Sequence, residues 1–377
     1  MIKLQLRRLR PGMVPVQSIY NSSGARYLVK GTPLTESYIQ KLKQVGIDSI
    51  YVMSTNPDIE VKPPEDVLQE KTRAMAVEHV YNLFENVQTQ NLMDIEPVEK
   101  ASDAILSDLI LRRKNLVQLT DIRTYDMYTF AHSVNVAVLS AIIGTLCNLD
   151  HRRMHQLTLG ALLHDLGKTR VPLGILNKEG RLLPEEFDVI KLHPRWGSEM
   201  ILGLSLADVS MLALPARQHH EHMDGKGYPY GIAGEQIHIF GRICAIADVY
   251  DALTSLRPYK KPYPPHIAYH IMKDCSPGQF DEELLNLFFR NVAIYPVGTV
   301  MKTTHGYAIV KKISFGKTDR PLVVLFANPD GRPMPPREIG LHDEPSEEIV
   351  KVLTDADLYT FIHQIGFDQE KLLADDA

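Results

Sequence analysis

Six histidines in the middle of the chain have the residue type for metal binding: His132, His164, His193, His219, His220 and, with the weakest case, His222. A single histidine on a helix is more often a core or surface residue than a ligand, so their neighbours decide the matter. His164 is followed directly by Asp165 at the end of the apolar run LTLGALLHDLGK. An imidazole and a carboxylate buried there need a partner, because an uncompensated buried charge is strongly disfavoured. A divalent cation is such a partner: it takes nitrogen from His164 and oxygen from Asp165, and one carboxylate can bridge two metals. On the dipeptide alone, a structural His–Asp pair at a helix end explains the pattern equally well.

Two further pieces shift that balance. His219 and His220 close the apolar stretch MLALPARQHH, and HHEHMDGKGYP runs at once into a loop with Gly225, Gly227 and Pro229. Glycine lets backbone come close to a ligand and proline stiffens the exit, whereas a plain polar surface turn would not need such compact spacing. In RICAIADVYDALT, Asp248 is a lone carboxylate among apolar residues of a predicted helix, and Asp251 lies three residues on, on roughly the same face. Asp248 reads as a ligand and Asp251 as a group behind the ligands. The basic run Arg257-Pro258-Tyr259-Lys260-Lys261 follows, either a loop close to the site or a solvated charge run.

In this order the pieces resemble the HD-domain phosphohydrolases and, within them, the HD-GYP family. The resemblance spans residues 121–290 and rests on HSVNVAVLS with His132, HDLGK, Leu192-His193-Pro194 with Gly197, HHEHMDGKGYP and ADVYDALTSLRPYK. The triplet Gly227-Tyr228-Pro229 in its HHE setting separates this family from generic HD hydrolases. The resemblance implies metal ligands at His132, His164, Asp165, His193, His219, His220 and Asp248, with Asp165 bridging and taking part in catalysis. It implies that Lys168 holds the scissile phosphate, that Arg257 and Lys260 contact phosphates, and that Tyr228 lies near the substrate. The implied reaction is hydrolysis of cyclic di-GMP to pGpG by metal-activated water, with a further cut to GMP left open and no protein nucleophile.

The donor set contains no thiolate, which suits Fe or Mn better than a structural zinc. Two divalent ions are expected, not three: members that hold a third have a glutamate four residues before the first ligand histidine, and here Tyr128 stands there. Asp126, six residues before His132, is turned by about 600° and so faces away from the ligand. Two other readings stay open. One is an HD hydrolase of another cyclic dinucleotide or nucleotide. The other is a silent ligand-binding module, which the loss of His164 or Asp165 would have favoured; both are present.

The elements that must position these residues are mainly helical. The expected fold is an HD-type helical bundle with a small N-terminal α/β domain and a short C-terminal β appendage. Residues 1–60 form the α/β part: a hairpin around Asn21-Ser22-Ser23-Gly24, a helix capped by Thr35, and the strand IDSIYV. RPGMVPV and VKGTPLT there also resemble an uncharacterised domain often found ahead of HD-GYP units. Residues 61–120 follow as a mostly helical linker after the Pro63-Pro64 break, 121–290 as the catalytic domain, and 291–377 as a β-rich extension with a tail-helix.

Composition bounds the rest. The 377 residues are 44% hydrophobic and 23% charged with a net charge of -5, which gives no bulk affinity for a nucleic-acid polymer or an anionic membrane. Three cysteines without a CxxC spacing fit a reducing cytoplasm, and no apolar targeting segment follows MIKLQLRRLRPGM. Phe130 to Leu149 is about as long as a membrane span, yet it carries His132, Ser133, Asn135, Ser140 and Asn148, so it is predicted to be a buried core helix. Residues 65–120 show no heptad run, so a homodimer or a signalling-protein partner stays unassigned.

Overall fold

The structure is a computed structural model, and it describes residues 2–16, 18–20, 26–44, 47, 49–53, 61, 67–90, 92–112, 128–178, 180–206, 208–255, 262–354 and 357. The chain divides into two compact units. One holds residues 67–116 and 127–289; the other holds 1–66, 117–126 and 290–377.

The first unit is helical. Its helices are α2 (Glu70–Gln90), α3 (Glu96–Leu111), α4 (Tyr128–Leu146), α5 (His151–Leu162), α6 (Leu173–Leu176), α7 (Pro184–Ile190), α8 (His193–Leu202), α9 (Val209–Gln218), α10 (Ile239–Thr254), α11 (Pro265–Gln279) and α12 (Glu282–Asn291), the last running two residues past the unit's edge. α4 is the stretch whose length resembled a membrane span. It is buried on all sides from Ala131 to Gly144, packed against α5, α10 and α2. No helix among the described residues is long and apolar enough to cross a membrane. α5 starts where Asp150 accepts the Arg153 amide at 2.9 Å, a side-chain cap that fixes where the LTLGALL stretch points. α5 packs on α4 and α9, α9 on α8, and α10 on both α4 and α9.

The other unit takes its structure from both ends of the chain. α1 (Glu36–Gln44) is capped by Thr35, whose hydroxyl accepts the Tyr38 amide at 3.2 Å. β1 (Ile2–Gln5) pairs antiparallel with β4 (Ser49–Val52), and β2 (Ile19–Tyr20) with β3 (Arg26–Leu28). The turn expected at 21–24 lies outside the described residues. Near the other end, β5 (Val300–Thr303), β6 (Gly306–Ser314), β7 (Lys317–Ala327), β8 (Pro333–Gly340) and β9 (Ile349–Val352) form an antiparallel sheet in the order β8-β7-β6-β5-β9. Leu4, Leu34, Leu42 and Val52 share one apolar core with Met301, Val310, Val323 and Phe326. Burial of this kind contributes about 25 cal/mol per Å² of apolar surface. The tail-helix expected near residue 370 lies outside the described residues.

Candidate metal centre

Every ligand candidate from His132 to Asp248 lies in the helical unit, and helix ends bring them together. His132 sits inside α4. His164 and Asp165 follow the end of α5, where the chain tightens into a 3₁₀ turn over Leu166–Arg170. His193 opens α8, His219 and His220 follow α9, and Asp248 lies in α10. Two sets of ligand atoms result, each within 4.8 Å of one another: His132, His164 and Asp165 in one, and His193, His219 and His220 in the other. His222 belongs to neither.

Asp165 lies between the sets and turns one oxygen to each. Its Oδ2 is 3.3 Å from His164 Nε2 and 3.9 Å from His132 Nε2; its Oδ1 is 3.4 Å from His193 Nε2 and 3.9 Å from His219 Nε2. Asp248 Oδ1 completes the first set at 3.0 Å from His132 Nε2. Lys168 donates to Asp165 Oδ2 at 2.6 Å, and its side chain is partly exposed while Asp165 is not. Burial would raise the Asp165 pKa, but His164, the Lys168 ammonium and His193 packed around it hold it well below the usual carboxylate range.

The orientation of the rings shows what this arrangement lacks. His164 Nδ1 lies 2.8 Å from the Ala161 carbonyl, His193 Nδ1 2.7 Å from that of Ile190, and His219 Nδ1 2.8 Å from that of Pro215. A carbonyl only accepts, so each Nδ1 carries the proton and, in the neutral ring, each Nε2 presents a lone pair. Burial keeps His193 and His219 neutral, lowering their pKa values to about 3 and about 4, and pushes His220 well below its usual range. The His193 and His219 Nε2 atoms then face each other at 3.3 Å. His164 Nε2 faces a carboxylate oxygen, and neither it nor Asp165 Oδ1 has a hydrogen-bond partner despite full burial. Lone pairs aimed at one another in a low-dielectric interior are unfavourable unless a cation lies between them. The residues present therefore fit a divalent metal centre.

His132 is held differently. Its Nδ1 pairs with Asp251 Oδ2 at 2.7 Å, and Asp251 Oδ1 accepts from Asn135 Nδ2 at 2.8 Å and from Ser255 Oγ at 2.7 Å. A carboxylate behind a ligand histidine fixes its tautomer and makes the ring a better donor to metal. Burial would lower the His132 pKa, but hydrogen bonds to Asp248 and Asp251 outweigh it and raise the value to about 9. In the same pair Asp248 is driven far below its ordinary value, chiefly by His132 against the effect of burial. Sequence reasoning placed Asp251 behind the ligands but missed Asn135 and Ser255. Asn135 lies one turn from His132 and Ser255 one turn from Asp251, so helical spacing was the available signal.

Two glycines set close contacts that the site depends on. A Cβ on Gly167 would run into the His193 carbonyl, so α8 lies directly on the turn that carries Asp165. A Cβ on Gly227 would run into the His222 amide and the His220 carbonyl, so the Gly227-Tyr228-Pro229 loop lies flush on the histidine pair. There the Tyr228 amide donates to the His220 carbonyl at 3.0 Å, and the Tyr228 ring stacks on the His220 ring with centroids 4.6 Å apart. The Tyr230 amide donates to the buried Glu221 carboxylate at 2.7 Å, which ties down the far side of the loop. Arg257, Lys260 and Asp126 lie outside the described residues, as does the side chain of Tyr128.

The chain is similar to known proteins over much of the helical unit. Residues 105–284 match the HD domain family. A cyclic di-GMP phosphodiesterase of Pseudomonas aeruginosa is 36% identical over 228 residues, covering 60% of this chain and 54% of that protein. A cyclic di-GMP phosphodiesterase of Thermotoga maritima is 35% identical over 165 residues, covering 44% of this chain and 45% of that protein. The 3'3'-cGAMP-specific phosphodiesterase 1 of Vibrio cholerae is 36% identical over 172 residues, covering 45% of this chain and 39% of that protein. The chain thus spans about half the length, or less, of the curated relatives it matches. The likeness to the HD domain family lies mostly within the helical unit, which carries the histidine–aspartate centre and the Gly227-Tyr228-Pro229 loop.

Proposed function

We propose that the helical unit is a metal-dependent phosphodiesterase that hydrolyses cyclic di-GMP to linear pGpG. The observation that carries this is Asp165, whose two oxygens face two separate sets of histidines. Two divalent ions, Fe or Mn, would be held by His132, His164 and Asp248 on one side and His193, His219 and His220 on the other, with Asp165 shared. When bound, such a pair supplies Lewis-acid charge and a water acidic enough to act as nucleophile near neutral pH.

The chain's own residues do the rest. Lys168 has its ammonium on Asp165 Oδ2 at the edge of the buried cluster, where it can transfer to a phosphoryl oxygen and offset charge that develops there. Asp251 keeps the proton of His132 on Nδ1 and so leaves Nε2 for metal. The Tyr228 ring covers one face of His220. Arg257 and Lys260 are assigned to the outer phosphate contacts. Residues 1–60 are assigned an accessory role outside the chemistry.

The relatives named for cyclic di-GMP support that substrate, and the relative named for 3'3'-cGAMP supplies a second reading at similar identity. Protein purified without oxygen and reconstituted with Fe(II) or Mn(II) tests both. Conversion of cyclic di-GMP to pGpG with about two metals per chain is expected. Faster turnover of 3'3'-cGAMP selects the second reading, and full metal loading without hydrolysis of either overturns both.

A further inference from the structure

Beyond the residues assigned so far, α7 presents an aromatic ring beside the centre. Phe187 keeps 43% of its surface exposed although Tyr228 and Lys191 both touch it. Its ring meets that of Tyr228 nearly edge-on, 6.4 Å between centroids at 76°. Tyr228 in turn is stacked on His220 at 4.6 Å and 27°. Two ring-to-ring steps therefore lead from a candidate metal ligand to an open aromatic surface. Lys191 Nζ stands 4.8 Å from the Phe187 centroid, held there by Asp188 Oδ1 at 2.8 Å. Leu183 and Leu192, which flank this stretch, are also left open, at 57% and 38%.

An isolated exposed apolar side chain is ordinary. Here the exposed ring is continuous with the centre and holds a cation over its face, a contact that the π-face of a base can replace. A base offers a flat π-face to the ring. Guanine also offers N7 and O6, two acceptors on one edge that suit an ammonium. We infer that Phe187 is the stacking platform for a purine base of the cyclic dinucleotide, the base displacing Lys191 from over the ring and the freed ammonium turning to the acceptor edge of that base. This rests on the phosphodiesterase reading above. It adds a residue that selects the substrate and takes no part in the bond cleavage.

Three variants test it against a purely structural role for the ring. Phe187→Leu keeps apolar bulk against Tyr228 but removes the π-face, Phe187→Ala removes both, and Phe187→Trp enlarges the face. With cyclic di-GMP, the Leu and Ala variants are expected to raise KM roughly tenfold, with kcat within about twofold of wild type. The Trp variant is expected to keep KM at or below the wild-type value. Metal content, counted on each sample, is expected to match wild type and shows that the centre is intact. Wild-type KM in Phe187→Leu, or a fall in kcat at unchanged KM, overturns the platform while leaving the phosphodiesterase reading in place. Wild-type protein that is fully metal-loaded and cleaves no cyclic dinucleotide overturns the reading itself, and the platform with it.

Discussion

Both halves of the centre use backbone support, His164 Nδ1 resting on the Ala161 carbonyl in one of them, but they differ at His132. In the nitrogen-rich half, His193 and His219 are aimed by backbone carbonyls of Ile190 and Pro215, three or four residues back along their own chain. In the carboxylate-rich half, His132 is aimed by Asp251, which reaches it from another helix and is itself held by Asn135 and Ser255. A backbone carbonyl survives any point substitution, whereas a side-chain prop does not. The nitrogen-rich half is therefore built to tolerate mutation of its support, and the other half is built to be tuned by it.

The strongest break of this comparison is at the residue both halves share. Asp165→Ala removes an oxygen from each and is expected to abolish metal loading and lower kcat/KM by at least about 10³-fold. Stripping metal from wild-type protein with a chelator is expected to lower Tm, because a ligand bound only to the folded state stabilises it by mass action. Loss of metal from one half alone in Asp165→Ala, with the other fully loaded, would show that the carboxylate does not bridge.

Asp251→Ala separates the halves. It leaves His132 Nδ1, Asn135 Nδ2 and Ser255 Oγ without their shared acceptor, while nothing changes around Ile190 and Pro215. Loss of such a group behind a ligand costs about 10–100-fold in metal affinity. A metal titration is expected to show one site weakened by that factor and the other unchanged. Equal weakening of both would mean that the halves are coupled through more than Asp165.

How far this was legible in the sequence follows the same division. His164, Asp165, His219, His220 and Asp248 could be named because each sits in a short, local pattern: HDLGK, the HHEHMDGKGYP run, an aspartate alone in an apolar helix; His132 and His193 rested on the family resemblance. The predominance of helix and the small β extension were legible for a similar reason, since α4 and β7 carry their hydrophobic patterns within one segment. What joins distant segments was not. No local pattern places Asn135 on Asp251, more than a hundred residues away, or gives one Asp165 oxygen to each set of histidines. The core that Leu4 and Val52 share with Met301 and Phe326 is equally non-local. Periodicity reports which face of an element is buried but not what it is buried against.

The smallest expected effect lies in the Tyr228 contact with His220. The Tyr228 ring stacks on that imidazole, and an aromatic pair of this kind is worth about 0.5–1.5 kcal/mol beyond its area. Tyr228→Leu should therefore weaken metal binding in the nitrogen-rich half by roughly two- to tenfold, less than Asp251→Ala weakens the other. Tyr228→Phe keeps the ring and should leave metal binding at the wild-type level, so any loss of activity it shows would come from the phenol and the substrate. If Tyr228→Leu weakened metal binding as much as Asp251→Ala, the backbone carbonyls would not suffice to hold their half. The loop, with its amide on the His220 carbonyl and its glycine pressed on His222, would then be as necessary to the nitrogen-rich half as Asp251 is to the other.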